Sequence, residues 1–183
     1  VVNVNKSVAL IGGYNVNNWA AGSDPVNNLT VLDAENRLGR RVVVVTADIT
    51  PTIAGFHLRG GYVSGSGAGL YIEADAVPTV RSCVIYQNTA IGASAAGAGI
   101  YYGGGGVPLF ERNKIYENQA AGDGRGGGIY LAGGGARVWN NLVYYNTAAF
   151  GGGLYNAAGT PAVWNNTFYA NTAGDDAGVP AAL

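Results

Sequence analysis

Methionine is absent from this 183-residue chain, and cysteine and histidine each occur once. The lone thiol, Cys83, excludes an internal disulfide framework and leaves the redox compartment open. Charge is scarce too: Asp, Glu, Lys and Arg make up 11% of residues, and the formal net charge is -1. Without an excess of Lys and Arg there is no electrostatic footprint for nucleic acid or for an anionic membrane surface. No apolar run approaches the roughly 20 residues of a membrane-spanning helix, so no membrane insertion is expected. The longest run near the front, "VVVV" at Val42 to Val45, has the length and branching of a strand. No glycine run ends in Lys followed by Ser or Thr, which excludes a phosphate-binding loop. Neither a Ser, His, Asp arrangement nor a metal-ligand spacing emerges, and "GDGRGGG" around Asp123 fails the G-G-x-G-x-D calcium repeat. The missing methionine and signal peptide read as a processed form or an excised piece.

Glycine, by contrast, is abundant, at 31 residues, and it recurs with a period. "GAGLYIEADAVPTVRSCVIYQNTA" from Gly67 aligns with "GAGIYYGGGGVPLFERNKIYENQA" from Gly97, "GGGIYLAGGGARVWNNLVYYNTA" from Gly126 and "GGGLYNAAGTPAVWNNTFYANTA" from Gly151. An earlier copy from Arg41 matches in its second half. The position of Val42, Gly69, Gly99, Gly128, Gly153 and Gly178 recurs at intervals of 27, 30, 29, 25 and 25 residues. The step from Pro51, Pro78, Pro108, Ala136 or Pro161 to Gly61, Asn88, Asn118, Asn146 or Asn171 is always ten. Length variation therefore falls in loops while the strand-bearing parts keep register.

Within each copy the apolar residues alternate with period two, and nowhere do they keep helical spacing. Three apolar columns result: Leu70, Ile100, Ile129, Leu154; Ile53, Val80, Phe110, Val138, Val163; and Leu58, Ile85, Ile115, Val143, Phe168. A unit of three short strands closes no core alone, but buries these residues by stacking on its neighbours. The economical solution is an all-β solenoid of parallel strands rising about 4.8 Å per coil, with about six to seven coils. Stacking places Asn113, Asn141 and Asn166 in one column with Cys83, and Asn88, Asn118, Asn146 and Asn171 in another. Both columns can pass amide hydrogen bonds from coil to coil, and the second can instead hold left-handed turns.

The strand "GGGIY", the "P-x-[IVF]" step and "NN-x-[FV]-Y-x-N-T-A" resemble the repeats of right-handed parallel β-helix proteins, the pectin-lyase-like superfamily. They are most similar to repeats of large bacterial secreted and cell-surface proteins. The resemblance runs from Arg41 to Ala173 and implies a right-handed, single-stranded β-helix. It reads as one domain over residues 1–183: N-terminal coils or a cap-like segment over 1–40, repeats over 41–178, and the start of a further coil at 179–183.

Residues able to carry chemistry are few. Asp48 and Asp75 share a column, with Glu73 two residues before the latter, so the three form a candidate acidic patch on the outer face. In a polysaccharide lyase of the resembling fold, such carboxylates bind calcium (Asp48 and Asp75 being the candidate ligands) and a basic residue abstracts the proton. In a glycosidase, two of them are acid and nucleophile or base. Beyond that calcium, no cofactor is expected. Tyr71, Tyr101, Tyr130 and Tyr155 form one aromatic row and Tyr86, Tyr116, Tyr144 and Tyr169 another, while Trp139 and Trp164 stack as a candidate glycan-binding pair. Arg81 and Glu111, in the tryptophan column, read as a surface ion pair, and His57 as a surface histidine. Asp123, Arg125, Asp175 and Asp176 sit on lengthened loops along one rim.

The expected function is a non-catalytic structural or adhesion module, secreted or at the cell surface. Its partners are further repeats or a second copy of itself at open solenoid ends, and glycans. A polysaccharide-cleaving enzyme or a carbohydrate-binding module is the alternative.

Overall fold

The computed structural model describes residues 1–174. Among them the regular structure is entirely strand, and all but one small hairpin lies in four parallel sheets. The first sheet stacks Val2–Val4, Val43–Val45, Leu70–Ile72, Ile100–Tyr102, Ile129–Leu131 and Leu154–Asn156. The second stacks Ala9–Ile11, Thr52–Ala54, Thr79–Arg81, Leu109–Glu111, Arg137–Trp139 and Ala162–Trp164. The third stacks Thr30–Asp33, Phe56–Arg59, Val84–Tyr86, Lys114–Tyr116, Leu142–Tyr144 and Thr167–Tyr169. The fourth holds Tyr62–Ser66, Thr89–Ala96, Gln119–Arg125, Thr147–Phe150 and Thr172–Ala173.

Each residue of the three expected columns pairs with its counterpart one turn on. Leu70 meets Ile100, Val80 meets Phe110, and Ile85 meets Ile115. Leu70, Ile85, Ile100, Phe110 and Ile115 are fully buried in one continuous core. Two expectations need correction. Each complete turn has four strands rather than three, because "TAIGASAA" and "QAAGDGR" are strands with register irregularities, not loops. Their inward side chains are small: Val63, Ala90, Ala120 and Ala148 build a second core cluster beside the first. A column of alanines gives too weak a hydrophobic signal to mark a strand. The turn count also differs slightly from six to seven: among the described residues a first turn of three strands is followed by five complete turns. The expected further coil at 179–183, together with Asp175, Asp176 and Gly178, lies outside the described residues.

The corners between strands explain the short repeat. Ser82, Arg112, Asn140 and Asn165 have φ between 52° and 56°, and so turn the chain in a single left-handed residue between the second and third sheets. Gln87, Glu117, Tyr145 and Ala170, with φ from 48° to 53°, do the same one corner later. The left-handed residue is thus the one before each ladder asparagine, and the asparagine itself is free to build the ladder.

The first turn departs from the repeat. Between Ala9–Ile11 and Thr30–Asp33 the chain leaves the solenoid as an excursion carrying an antiparallel hairpin, Tyr14–Asn15 with Asn18–Ser23. Gly13 accepts the Asp24 N–H through its carbonyl at 2.7 Å, and its own N–H donates to Thr30 Oγ1 at 2.9 Å. These bonds close the base of the excursion and lay residues 25–29 along the solenoid.

Candidate functional site

Both asparagine columns are continuous ladders. Asn88 Nδ2 donates to Asn118 Oδ1, Asn118 Nδ2 to Asn146 Oδ1, and Asn146 Nδ2 to Asn171 Oδ1, each at 2.9 Å. In the other column Asn113 Nδ2 donates to Asn141 Oδ1 at 3.0 Å and Asn141 Nδ2 to Asn166 Oδ1 at 2.9 Å. The second proton of each Nδ2 goes to a carbonyl of the preceding turn, as from Asn118 to Ile85 at 3.0 Å. Each Oδ1 also accepts the backbone N–H of the column residue one turn before, as Asn146 does from Asn118 and Asn88 from Gly61. Interior amides such as Asn118 therefore have both donors and the acceptor occupied while 99% buried, as a buried polar group requires. Cys83 terminates its column: its N–H donates to Asn113 Oδ1, and its thiol points at the Ile53 carbonyl at 3.6 Å, the bond an asparagine amide would make there. Burial pushes that thiol up to about 11, which leaves it protonated and unreactive near neutral pH.

The tyrosines stack ring on ring. Tyr71, Tyr101, Tyr130 and Tyr155 are separated by 5.1, 5.4 and 5.5 Å at nearly parallel planes, with the Arg41 guanidinium 4.6 Å over the Tyr71 ring and Arg125 5.7 Å from Tyr155. Tyr86, Tyr116 and Tyr144 follow at 5.1 and 4.8 Å, but the row breaks at Tyr169, whose ring meets Tyr145 edge-on instead. A sugar packs on an aromatic face, and here each interior face is already covered by the next ring. These rows are structural, adding a few tenths to about 1 kcal/mol per pair. Trp139 and Trp164 stack at 5.6 Å and 2°, with Arg137 over Trp139 at 5.5 Å. Trp139 is half-buried and its Nε1 has no hydrogen-bond partner among the described residues, whereas Trp164 is 62% exposed.

The acidic candidates have backbone roles. Asp48 and Asp75 occupy the same corner of consecutive turns with φ of 58° and 66°, and both are exposed. Glu73 Oε2 accepts the Ala47 N–H at 2.9 Å, tying one turn to the loop before it. Among the described residues, no three of His, Cys, Asp and Glu converge on a metal-sized site, so the trio is not gathered as a calcium cage. The expected Arg81 to Glu111 pair is also replaced: Glu111 meets its own neighbour Arg112 at 3.4 Å, because the left-handed corner swings that guanidinium back.

His57 has a setting that the sequence does not reveal. It is half-buried in the outward column Val31, His57, Val84, Lys114 of the third sheet, its ring edge-on to Tyr86 at 6.1 Å. Burial, then the Lys114 ammonium, hold its pKa below the ordinary histidine value. Residues 25–29 of the excursion run alongside, leaving a groove of about 390 Å³ between Pro25, Val26 and Leu29 on one side and His57, Arg112 and Lys114 on the other. Residues outside the repeat have no counterpart to align with, so periodicity could not bring the two walls together.

Four parallel sheets, stacked turn on turn and joined by amide ladders, define a parallel β-helix. The family profile described as the right handed beta helix region matches residues 52–179, more than half of the chain, and the chain belongs to that family. No curated protein and no solved structure matches it.

Proposed function

We propose that this chain is a non-catalytic scaffold module, secreted or at the cell surface, that lengthens by stacking turns and associates end to end with further repeats or a second copy. The observation that carries this reading is that one turn holds the next by strand edges and ladder amides, as Arg137–Trp139 pairs with Ala162–Trp164 and Asn141 Nδ2 donates to Asn166 Oδ1 at 2.9 Å. Val138 and Val143 are fully buried, while Val163 and Phe168, one turn on, are only half-buried among the described residues. The strand edge and the ladder amides at that turn repeat the groups by which each earlier turn holds the next, and such an edge is a template for addition.

Sedimentation velocity over a hundredfold concentration range, with electron microscopy of the same samples, tests the association. Rods whose length grows with concentration are expected, and labelling of the protein on intact, unpermeabilised source cells. A strict monomer at the highest concentration removes the self-stacking, and labelling only after permeabilisation removes the location. Trp164 supports a glycan contact as a second reading, its exposed ring being held rigid by Trp139.

A further inference from the structure

The groove beside the N-terminal excursion has two unlike walls. Val26 is 82% exposed and Leu29 61% exposed, and with Pro25 they form an apolar strip that the solenoid core does not use. The hydrogen bonds at Gly13 hold this strip in place, and Asp24 fixes its start by accepting from the Val26 and Asn27 N–H groups and the Asn27 amide. Facing it are the Lys114 ammonium, the Arg112 guanidinium and the His57 imidazole. Among the described residues, no carboxylate lines the groove. Asp24 is bonded as above, Asp33 pairs with Arg59 at 2.8 Å, and Glu111, which is not part of the lining, pairs with Arg112 at 3.4 Å, so among the described residues Lys114 is the cation without a carboxylate. The floor is Val84, between the His57 and Lys114 strands and so about 5 Å from each along the sheet.

An apolar strip opposite two cations and a neutral imidazole complements a molecule with a hydrophobic body and one anionic end. Neutral sugars offer no charge to this wall, and a bare inorganic anion leaves the strip unused. We propose that the groove binds a small apolar carboxylate of single-ring size, its ring against Pro25, Val26 and Leu29 and its carboxylate between Lys114, Arg112 and His57. Lys114 and Arg112 are exposed and His57 is half-buried, so the carboxylate would gain charge-assisted bonds of surface strength, with the apolar strip adding the rest. The site is independent of end-to-end stacking, because His57, Val84 and Lys114 sit on strands of the third sheet that are already paired on both sides.

His57 is the only histidine, so its ring protons are an unambiguous reporter. Titrating the full chain with phenylacetate, phenylacetamide and acetate, followed by proton NMR of His57, tests the proposal. Phenylacetate is expected to shift the His57 signals saturably at millimolar concentration and to raise the pH midpoint of the ring, while the amide and acetate bind at least tenfold more weakly. Lys114→Gln and Leu29→Asn, both changes of exposed side chains, are expected to weaken phenylacetate about tenfold each with the urea midpoint unchanged. The absence of saturable shifts, equal binding of the amide or of acetate, or full affinity in the Lys114→Gln variant overturns it.

Discussion

A side chain at position 69 would occupy space already taken by a ladder amide. A Cβ on Gly69 would lie 2.8 Å from Asn88 Nδ2 and 2.6 Å from the Gly99 carbonyl, and Gly99 stands in the same relation to Asn118 and Gly128. The glycine period and the asparagine period are thus one constraint. The turn before shows the complementary solution: Val42 is buried in the glycine column, and the ladder position of that turn is Gly61. Gly69→Val is therefore expected to destabilise the protein by about 3 kcal/mol through overpacking. The double change Gly69→Val with Asn88→Gly, which copies the Val42 and Gly61 pair, should lose at least 1 kcal/mol less than the sum of the single losses in a urea-denaturation cycle. Cys83 supplies a pH signature. Its folded value lies near 11 against 9.0 for an ordinary thiol, so its contribution is complete below pH 9 and is lost as the pH rises toward 11. The loss amounts to ~3 kcal/mol. Cys83→Asn should extend the ladder by one amide, fold as stably as the parent at pH 8, and lack this share of the alkaline decline. Comparing the two proteins by urea denaturation at pH 8 and pH 10.5 separates the thiol from the tyrosines, which titrate in both.

Among the elements, the ladders were the most legible in the sequence and the fourth sheet the least. Asn141 and Asn166 were expected to be stacked neighbours, and they bond at 2.9 Å, because a polar residue recurring at one phase of an apolar repeat has few other ways to be satisfied. The strands of Ala90 and Ala120 have the composition of loops, since glycine and alanine there carry neither branching nor alternation. Interior rungs should matter more than terminal ones. Removing the Asn118 side chain strips hydrogen-bond partners from Asn88, Asn146 and the Ile85 carbonyl in a buried place. Asn118→Ala is expected to cost about 3 kcal/mol and Asn166→Ala about 1 kcal/mol, read from urea midpoints at constant slope. Equal losses would show that the rungs act singly rather than as a chain.

At the scale of the whole molecule, the repeat determined the architecture and gave no sign of the groove. The columns reached the core because stacking makes residues 25 to 30 apart into neighbours. The Pro25 to Leu29 strip meets Lys114 across some 85 positions of chain, brought there by the excursion at Gly13, and no period links them. The ladders have a sense as well as a length: every amide-to-amide bond runs from the Nδ2 of one turn to the Oδ1 of the next higher-numbered turn. A relay of that kind is an arrow. Two molecules can prolong it only head to tail, never around a two-fold axis, so an assembly built through these ends would keep a single direction, its leading tip chemically unlike its base.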